Sequence, residues 1–211
     1  MVCCNGAVIY DAVAQAPYTV WGFSESQAGS LLDTISRALP NRPVRVETAS
    51  DVYVNATFAQ GMRANPARVV VDDFVGAIQA LAEVVKLSVR CVDFDEARDA
   101  EEILANELRG VAVVSRGSVR FPILDIVQDG IDKSTALAHL ANDLGIARQN
   151  VVAFGDMTND LGMLNWAGCG YALASGDPDT VRNAPLIAPR FEEDGVAVIV
   201  EELLRGGPAR L

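Results

Sequence analysis

The last third of the chain alternates short apolar runs with segments of helical pattern, and this alternation restricts the fold more than any other feature. The apolar runs are VVAF at 151–154, GYALA at 170–174 and PLIA at 185–188, each free of charged residues. Strands that are buried on both faces have this composition, and strands separated by helices pair in parallel. The sequence therefore predicts an α/β fold with a Rossmann-like parallel sheet in this region.

Residues 15–127 follow a different pattern. Ser24 and Gln27 have the spacing of a capping box, and apolar residues recur on one face of the helix that would follow. The segment 111–127 contains two strand-like runs joined at Arg116–Gly117, which favours an antiparallel hairpin. This part of the chain is therefore predicted to be α+β.

The charge balance restricts the kinds of partner that the protein can bind, and the cysteines indicate its compartment. The chain has 28 Asp and Glu against 17 Lys and Arg, a net charge of −11. Binding to a phosphate backbone requires a basic face, so we expect no nucleic-acid partner. The four cysteines have no C-x-x-C spacing, and the N-terminal sequence predicts neither a signal peptide nor a membrane span. We expect a reduced, cytoplasmic protein with no membrane partner.

The segment NVVAFGDMTNDLGMLNWAG, residues 150–168, places Asp156, Asn159 and Asp160 directly after an apolar run. Ligands of open parallel sheets bind beyond the carboxyl ends of the strands. Two carboxylates four residues apart can face one spot there, where oxygen ligands suit Mg²⁺ and the amide of Asn159 can donate to phosphate. The alternative is that the acids only cap the following helix. A calcium loop is excluded, because Leu161 and Ala167 stand where it needs Gly and Glu.

Lys133 occupies a position that is unfavourable for a cation. It lies in DGIDKSTAL at the predicted start of a helix whose inward face would include Leu140 and Leu144. The helix dipole disfavours a cation at this end by up to about 1 kcal/mol, so the lysine indicates a nearby anion. The alternative is a surface lysine whose misplacement costs little.

Together these segments resemble the haloacid dehalogenase superfamily, in its Cof-type sugar-phosphatase branch. Residues 130–185 contain, in order, a Lys at a helix start, G-D-x-x-N-D, A-G-x-G-x-A and D-x-V-x-x-A. The opening CCNGAVIYD resembles the SNGA-x-IYD strand of those proteins. The resemblance implies a Rossmann-like core formed by residues 1–14 and 128–211, incomplete at its N-terminus. An α+β cap domain of the C2 type would be inserted at 15–127.

The resemblance also implies roles for individual residues. Asp156 looks like the carboxylate that binds Mg²⁺, and Asp160 like a second acid that supports the metal shell through water. Lys133 resembles the lysine that neutralises the nucleophile and the phosphate, and Asn159 resembles the contact to the substrate phosphate. The implied activity is Mg²⁺-dependent hydrolysis of a small phosphorylated metabolite, of the sugar phosphate or phosphoglycolate type, through an aspartyl-phosphate.

One part of the family's machinery has no counterpart in this sequence. The nucleophile motif D-x-D-G-[TV] precedes the NGA-x-IYD strand in the family, whereas only four residues precede that strand in this chain. Asp93 and Asp95 form a D-x-D, but Glu96 follows where Gly is needed. We therefore expect a longer protein, self-association or a partner chain that completes the core sheet, or an inactive relative that binds a phosphate ligand or a protein.

Overall fold

A computed structural model of the protein describes residues 1–60, 68–72, 74–78, 83–118 and 121–206. The chain divides into two compact units, the first from Met1 to Ile131 and the second beginning at Asp132. None of the helices in these described ranges is long and apolar enough to cross a membrane.

Three short strands open the first unit and form an antiparallel sheet. They are β1 (Val2–Cys3), β2 (Val8–Asp11) and β3 (Ala16–Val20), and β2 pairs with both of the others. The turn Cys4–Gly6 between β1 and β2 has positive φ at all three residues, 51°, 55° and 101°. Most residues with a side chain adopt this left-handed conformation at a cost of about 1 kcal/mol or more, and asparagine is an exception, so Cys4 in particular needs contacts that hold it there.

The rest of the first unit is a six-stranded sheet with helices. Its strands are β4 (Val44–Glu47), β5 (Val52–Val54), β6 (Arg68–Val70), β7 (Lys86–Arg90), β8 (Ala112–Arg116) and β9 (Ile123–Gln128), in the order β6-β5-β4-β7-β9-β8. All neighbours are antiparallel except β5 and β6. The helices are α1 (Glu25–Ala38), α2 (Ala56–Ala59), α3 (Phe74–Ile78) and α4 (Phe94–Glu107).

One face of this sheet is the core of the first unit. Leu31 of α1 and Leu104 of α4 are buried against it, together with strand residues such as Val46, Leu87 and Ile126. The capping box predicted for Ser24 and Gln27 is confirmed at the start of α1. The pairing of β8 with β9 confirms the predicted hairpin.

In the second unit three parallel strands alternate with helices. The strands are β10 (Val152–Gly155), β11 (Cys169–Leu173) and β12 (Leu186–Ala188), in that spatial order. The helices are α5 (Lys133–Asp143), α6 (Leu161–Trp166), α7 (Pro178–Asn183) and α8 (Gly195–Leu204). Two apolar clusters pack on the strands, one containing Leu164 of α6 and one containing Ile199 of α8. The predicted parallel α/β fold is confirmed.

Candidate active site

Strand β10 ends at Gly155, and the next five residues bring two carboxylates together. A Cβ atom added at Gly155 would overlap the Asp160 side chain, so glycine at this position leaves the space in which Asp160 lies. The chain then turns through a short 3-10 helix, Thr158–Asp160, into α6. The site therefore lies at the carboxyl end of a parallel strand.

Asp160 is the buried centre of this arrangement, since its side chain is only 6% exposed. Its Oδ2 accepts hydrogen bonds from the backbone amides of Asp156 and Met157, both at 3.0 Å. Its Oδ1 lies 2.5 Å from the Nζ of Lys133. The carboxylate therefore fixes the turn after β10 and fastens it to the start of α5.

Lys133 is the first residue of α5. Its Nζ also lies 3.4 Å from Oδ1 of Asn159. The preceding residue, Asp132, caps the helix by accepting a hydrogen bond from the amide of Thr135 at 2.8 Å. The anion that the position of Lys133 predicts is thus present as the Asp160 carboxylate, which offsets the unfavourable interaction with the helix dipole.

Asp156 differs from Asp160 in that it is exposed to solvent. Burial and the negative charge of Asp160 raise its pKa, and the ammonium group of Lys133 opposes this rise. Its backbone is fixed from the other side, because its carbonyl oxygen accepts from the amide of Asp177 at 2.7 Å. A cation beside this carboxylate would relieve the repulsion between the two acids.

These carboxylates fit a magnesium site whose remaining ligands come from other groups. Mg²⁺ commonly takes one or two carboxylates and completes its shell with water and substrate phosphate. Asp156 can supply such a ligand, and Asp160, whose oxygens already accept from Lys133 and two amides, fits an indirect role. In the described part of the chain no group of three or more His, Cys, Asp or Glu residues could hold a metal ion by itself.

Comparison with known proteins places this chain in a family. Residues 1–200 match the family model described as haloacid dehalogenase-like hydrolase. The chain belongs to that family. The predicted resemblance to the haloacid dehalogenase superfamily is therefore confirmed.

The sequence relatives of this chain include a phosphatase. The 5-amino-6-(5-phospho-D-ribitylamino)uracil phosphatase YitU of Bacillus subtilis (strain 168) is 34% identical over 87 residues, which are 41% of this chain and 32% of YitU. The match therefore spans about a third of that relative's length.

Two solved structures share the fold over nearly the whole chain. SMU.1108c from Streptococcus mutans UA159 matches with a TM-score of 0.78 at 22% identity, over 95% of this chain and 75% of its own. A haloacid dehalogenase-like hydrolase from B. subtilis matches with a TM-score of 0.79 at 20% identity, over 96% of this chain and 78% of its own.

The structure thus brings together all four residues singled out from the sequence, Lys133, Asp156, Asn159 and Asp160. Their chemical roles stay predictions. By contrast, Asp93 of the D-x-D segment caps α4, accepting from the amide of Glu96 at 2.8 Å. This is the ordinary role of an acid at a helix start.

Sequence reasoning missed one contact, between Asp132 and Gly162. A Cβ atom at Gly162 would overlap Oδ2 of Asp132, so the start of α5 and the start of α6 touch at this point. The signal in the sequence was the glycine inside the predicted helix, which marks a close approach or a functional reason for its presence.

Proposed function

We propose that this protein carries the metal- and phosphate-binding half of a Mg²⁺-dependent phosphomonoester hydrolase that acts on a small phosphorylated metabolite. The observation that supports the proposal most directly is the contact of Lys133 with Asp160 beside the exposed Asp156. This places one cation and one available anionic ligand at the carboxyl end of a parallel strand, where such sheets bind ligands.

Each residue has a distinct task in this proposal. Asp156 would hold Mg²⁺, which supplies electrophilic stabilisation of the phosphoryl oxygens when bound. Lys133 would neutralise a second phosphate oxygen, and the amide group of Asn159 would donate a hydrogen bond to the same phosphate. Asp160 would keep the ammonium group of Lys133 in place and fix the backbone of Asp156. Phosphoryl transfer depends chiefly on such positioning and charge neutralisation.

The nucleophile would come from a strand-and-helix segment that pairs with β10. Among the described strands β10 pairs only with β11, and Val152 of β10 is 41% exposed. A parallel strand at this edge would deliver an Asp at its carboxyl end beside Lys133. In this arrangement residues 1–14 and 128–211 form the core and residues 15–127 the cap. The segment would belong either to a longer chain or to a partner chain.

Phosphate release from p-nitrophenyl phosphate would test the proposal. It would be measured for this chain and for the chain extended by the in-frame residues encoded upstream. We expect turnover that requires Mg²⁺, needs a D-x-D-G motif in the extension, and is lost in Asp156→Asn. The matched control is Asp143→Asn, which changes an exposed acid of α5 that pairs with His139 at 3.4 Å. Turnover in excess EDTA, or turnover that survives Asp156→Asn, would refute the assignment.

The rival function is a binding protein without catalysis. The open edge of β10 favours it, because a partner protein could add a strand there without supplying a nucleophile. Saturable binding of a phosphorylated metabolite that is lost in Lys133→Met, with no phosphate released by any extended chain, would support this rival.

A further inference from the structure

The six-stranded sheet carries five polar residues at the centre of the face opposite its apolar core. Arg45, Ser88 and Asp125 form one row across β4, β7 and β9, since Arg45 lies opposite Ser88 and Ser88 opposite Asp125. Glu47 and Lys86 lie opposite each other in the neighbouring row. We refer to these five residues as the charged cluster. The chemistry proposed above makes no use of it.

The two cations and two anions of the charged cluster compensate one another. Oε1 of Glu47 lies 2.8 Å from Nη2 of Arg45 and 3.0 Å from Nζ of Lys86. Ser88 donates to Asp125 at 2.6 Å and accepts from Arg45 at 3.0 Å. Burial alone would lower the pKa of Lys86, but the carboxylates of Asp125 and Glu47 raise it above its ordinary value.

The turn Cys4–Gly6 covers this cluster and contacts it through two side chains. Nδ2 of Asn5 donates to Oδ2 of Asp125 at 3.1 Å, and Sγ of Cys4 donates to Oε2 of Glu47 at 3.7 Å. Burial raises the pKa of Cys4 to about 12, so the thiol retains the proton that it donates. These bonds explain how two residues with side chains are held at positive φ.

We propose that the Asn5–Asp125 and Cys4–Glu47 hydrogen bonds form a latch. The latch holds the turn Cys4–Gly6 on the charged cluster and opens without unfolding the six-stranded sheet. Opening leaves no unpaired buried charge, because the four charges are already paired with one another and gain water. The apolar core on the other face of the sheet is not disturbed by this motion, since neither Cys4 nor Asn5 belongs to it. Cys4 packs instead against a separate, smaller apolar cluster that includes Ala7 and Val85.

Amide hydrogen exchange of the full chain tests the latch with Asn5→Gly. Asn and Gly both tolerate the left-handed conformation, so this change removes the hydrogen bond with little effect on backbone preference. The reporters are the amides of Ala7, bonded to the Cys4 carbonyl at 3.0 Å, and Trp21, bonded to the Ala7 carbonyl at 2.8 Å. We expect both to exchange about tenfold faster, the factor that one hydrogen bond to a charged acceptor supplies.

The control amide is that of Cys91, bonded to the Pro122 carbonyl at 2.8 Å in the same unit, whose exchange should not change. A matched pair of variants probes the hydrogen bond from Cys4 to Glu47. Cys4→Ser keeps a donor, so its Ala7 amide should exchange as in the parent protein. In Cys4→Ala the Ala7 amide should exchange faster. The latch is overturned if Asn5→Gly leaves Ala7 and Trp21 unchanged. It is equally overturned if the Cys91 amide accelerates by the same factor, because the bonds would then contribute only to global stability.

Discussion

Replacing Asp160 tests whether its carboxylate holds the site together. Asp160→Ala removes the acceptor of two backbone amides, those of Asp156 and Met157, and the anion that pairs with Lys133. A hydrogen bond to a charged acceptor contributes about 1.5 kcal/mol or more, so the two amides alone give a loss of about 3 kcal/mol. The side chain of Lys133 is 28% exposed and can be rehydrated, so we add little for its lost partner.

Asp160→Asn should cost less, about 1–2 kcal/mol, because the amide oxygen can still accept from the backbone. Its NH₂ group would then face the ammonium group of Lys133. A double-mutant cycle of Asp160→Asn with Lys133→Met, which keeps most of the aliphatic stem, should give a coupling energy of about 1 kcal/mol.

Urea unfolding followed by the fluorescence of Trp166 measures these effects in the second unit. Trp21 would be replaced by Phe in every variant, so that Trp166, which packs beside Leu164, is the only reporter. Asp143→Asn on the exposed face of α5 is the control and should change stability by less than about 0.5 kcal/mol. If Asp160→Ala is no more destabilising than this control, the carboxylate does not organise the site and our reasoning is wrong.

Three further predictions concern other groups. The pKa of Asp156 is raised in the folded chain, which therefore retains a proton that the unfolded chain releases. This group therefore lowers the stability of the fold as the pH rises above the ordinary pKa of an aspartate. Asp156→Asn should raise the Tm slightly in metal-free buffer at pH 7 and abolish any rise caused by Mg²⁺; a lowered Tm would contradict this. Burial raises the pKa of Cys4 to about 12 and that of Cys91 to about 11, so a disulfide reagent at pH 8 should modify both only after the other two cysteines, as peptide mass mapping would show. Gly162→Ala should cost about 1–3 kcal/mol in the same urea assay, because the new Cβ overlaps the Asp132 carboxylate.

The sequence predicts well those features that depend on neighbours a few residues apart. The capping box of Ser24 and Gln27 is an example, because both of its hydrogen bonds lie within one turn. The inward face predicted for α5 was partly wrong: the helix ends at Asp143, and Leu144, which follows it, is 63% exposed. The apolar pattern continues one residue beyond the helix, so it does not show where the helix ends.

The site and the charged cluster show where sequence reasoning stops. Lys133 and Asp160 are 27 residues apart, and their contact was not predicted; only the motif resemblance assigned both residues to one site. The polar residues of the cluster alternate with apolar ones along β4 and β7, which is the pattern of a solvated strand face, and Asp125 is a single polar residue inside an apolar run of β9. Their burial depends on which strands are neighbours and on the turn Cys4–Gly6, and neither is encoded within a few residues.

Helix α5 is attached to the start of α6 at two points, so the length of the connection between these helices can change without changing the chemistry of the site. Lys133 reaches Asp160 and the adjacent Asp132 touches Gly162, so the two halves of the site are aligned by contacts at one end of the helices. All residues from 142 to 150, on the connection at the far end, are exposed. Insertions or deletions around the left-handed Gly145 can therefore accumulate in evolution without shifting the lysine, and the interval between the two motifs is free to vary among relatives that keep the same site.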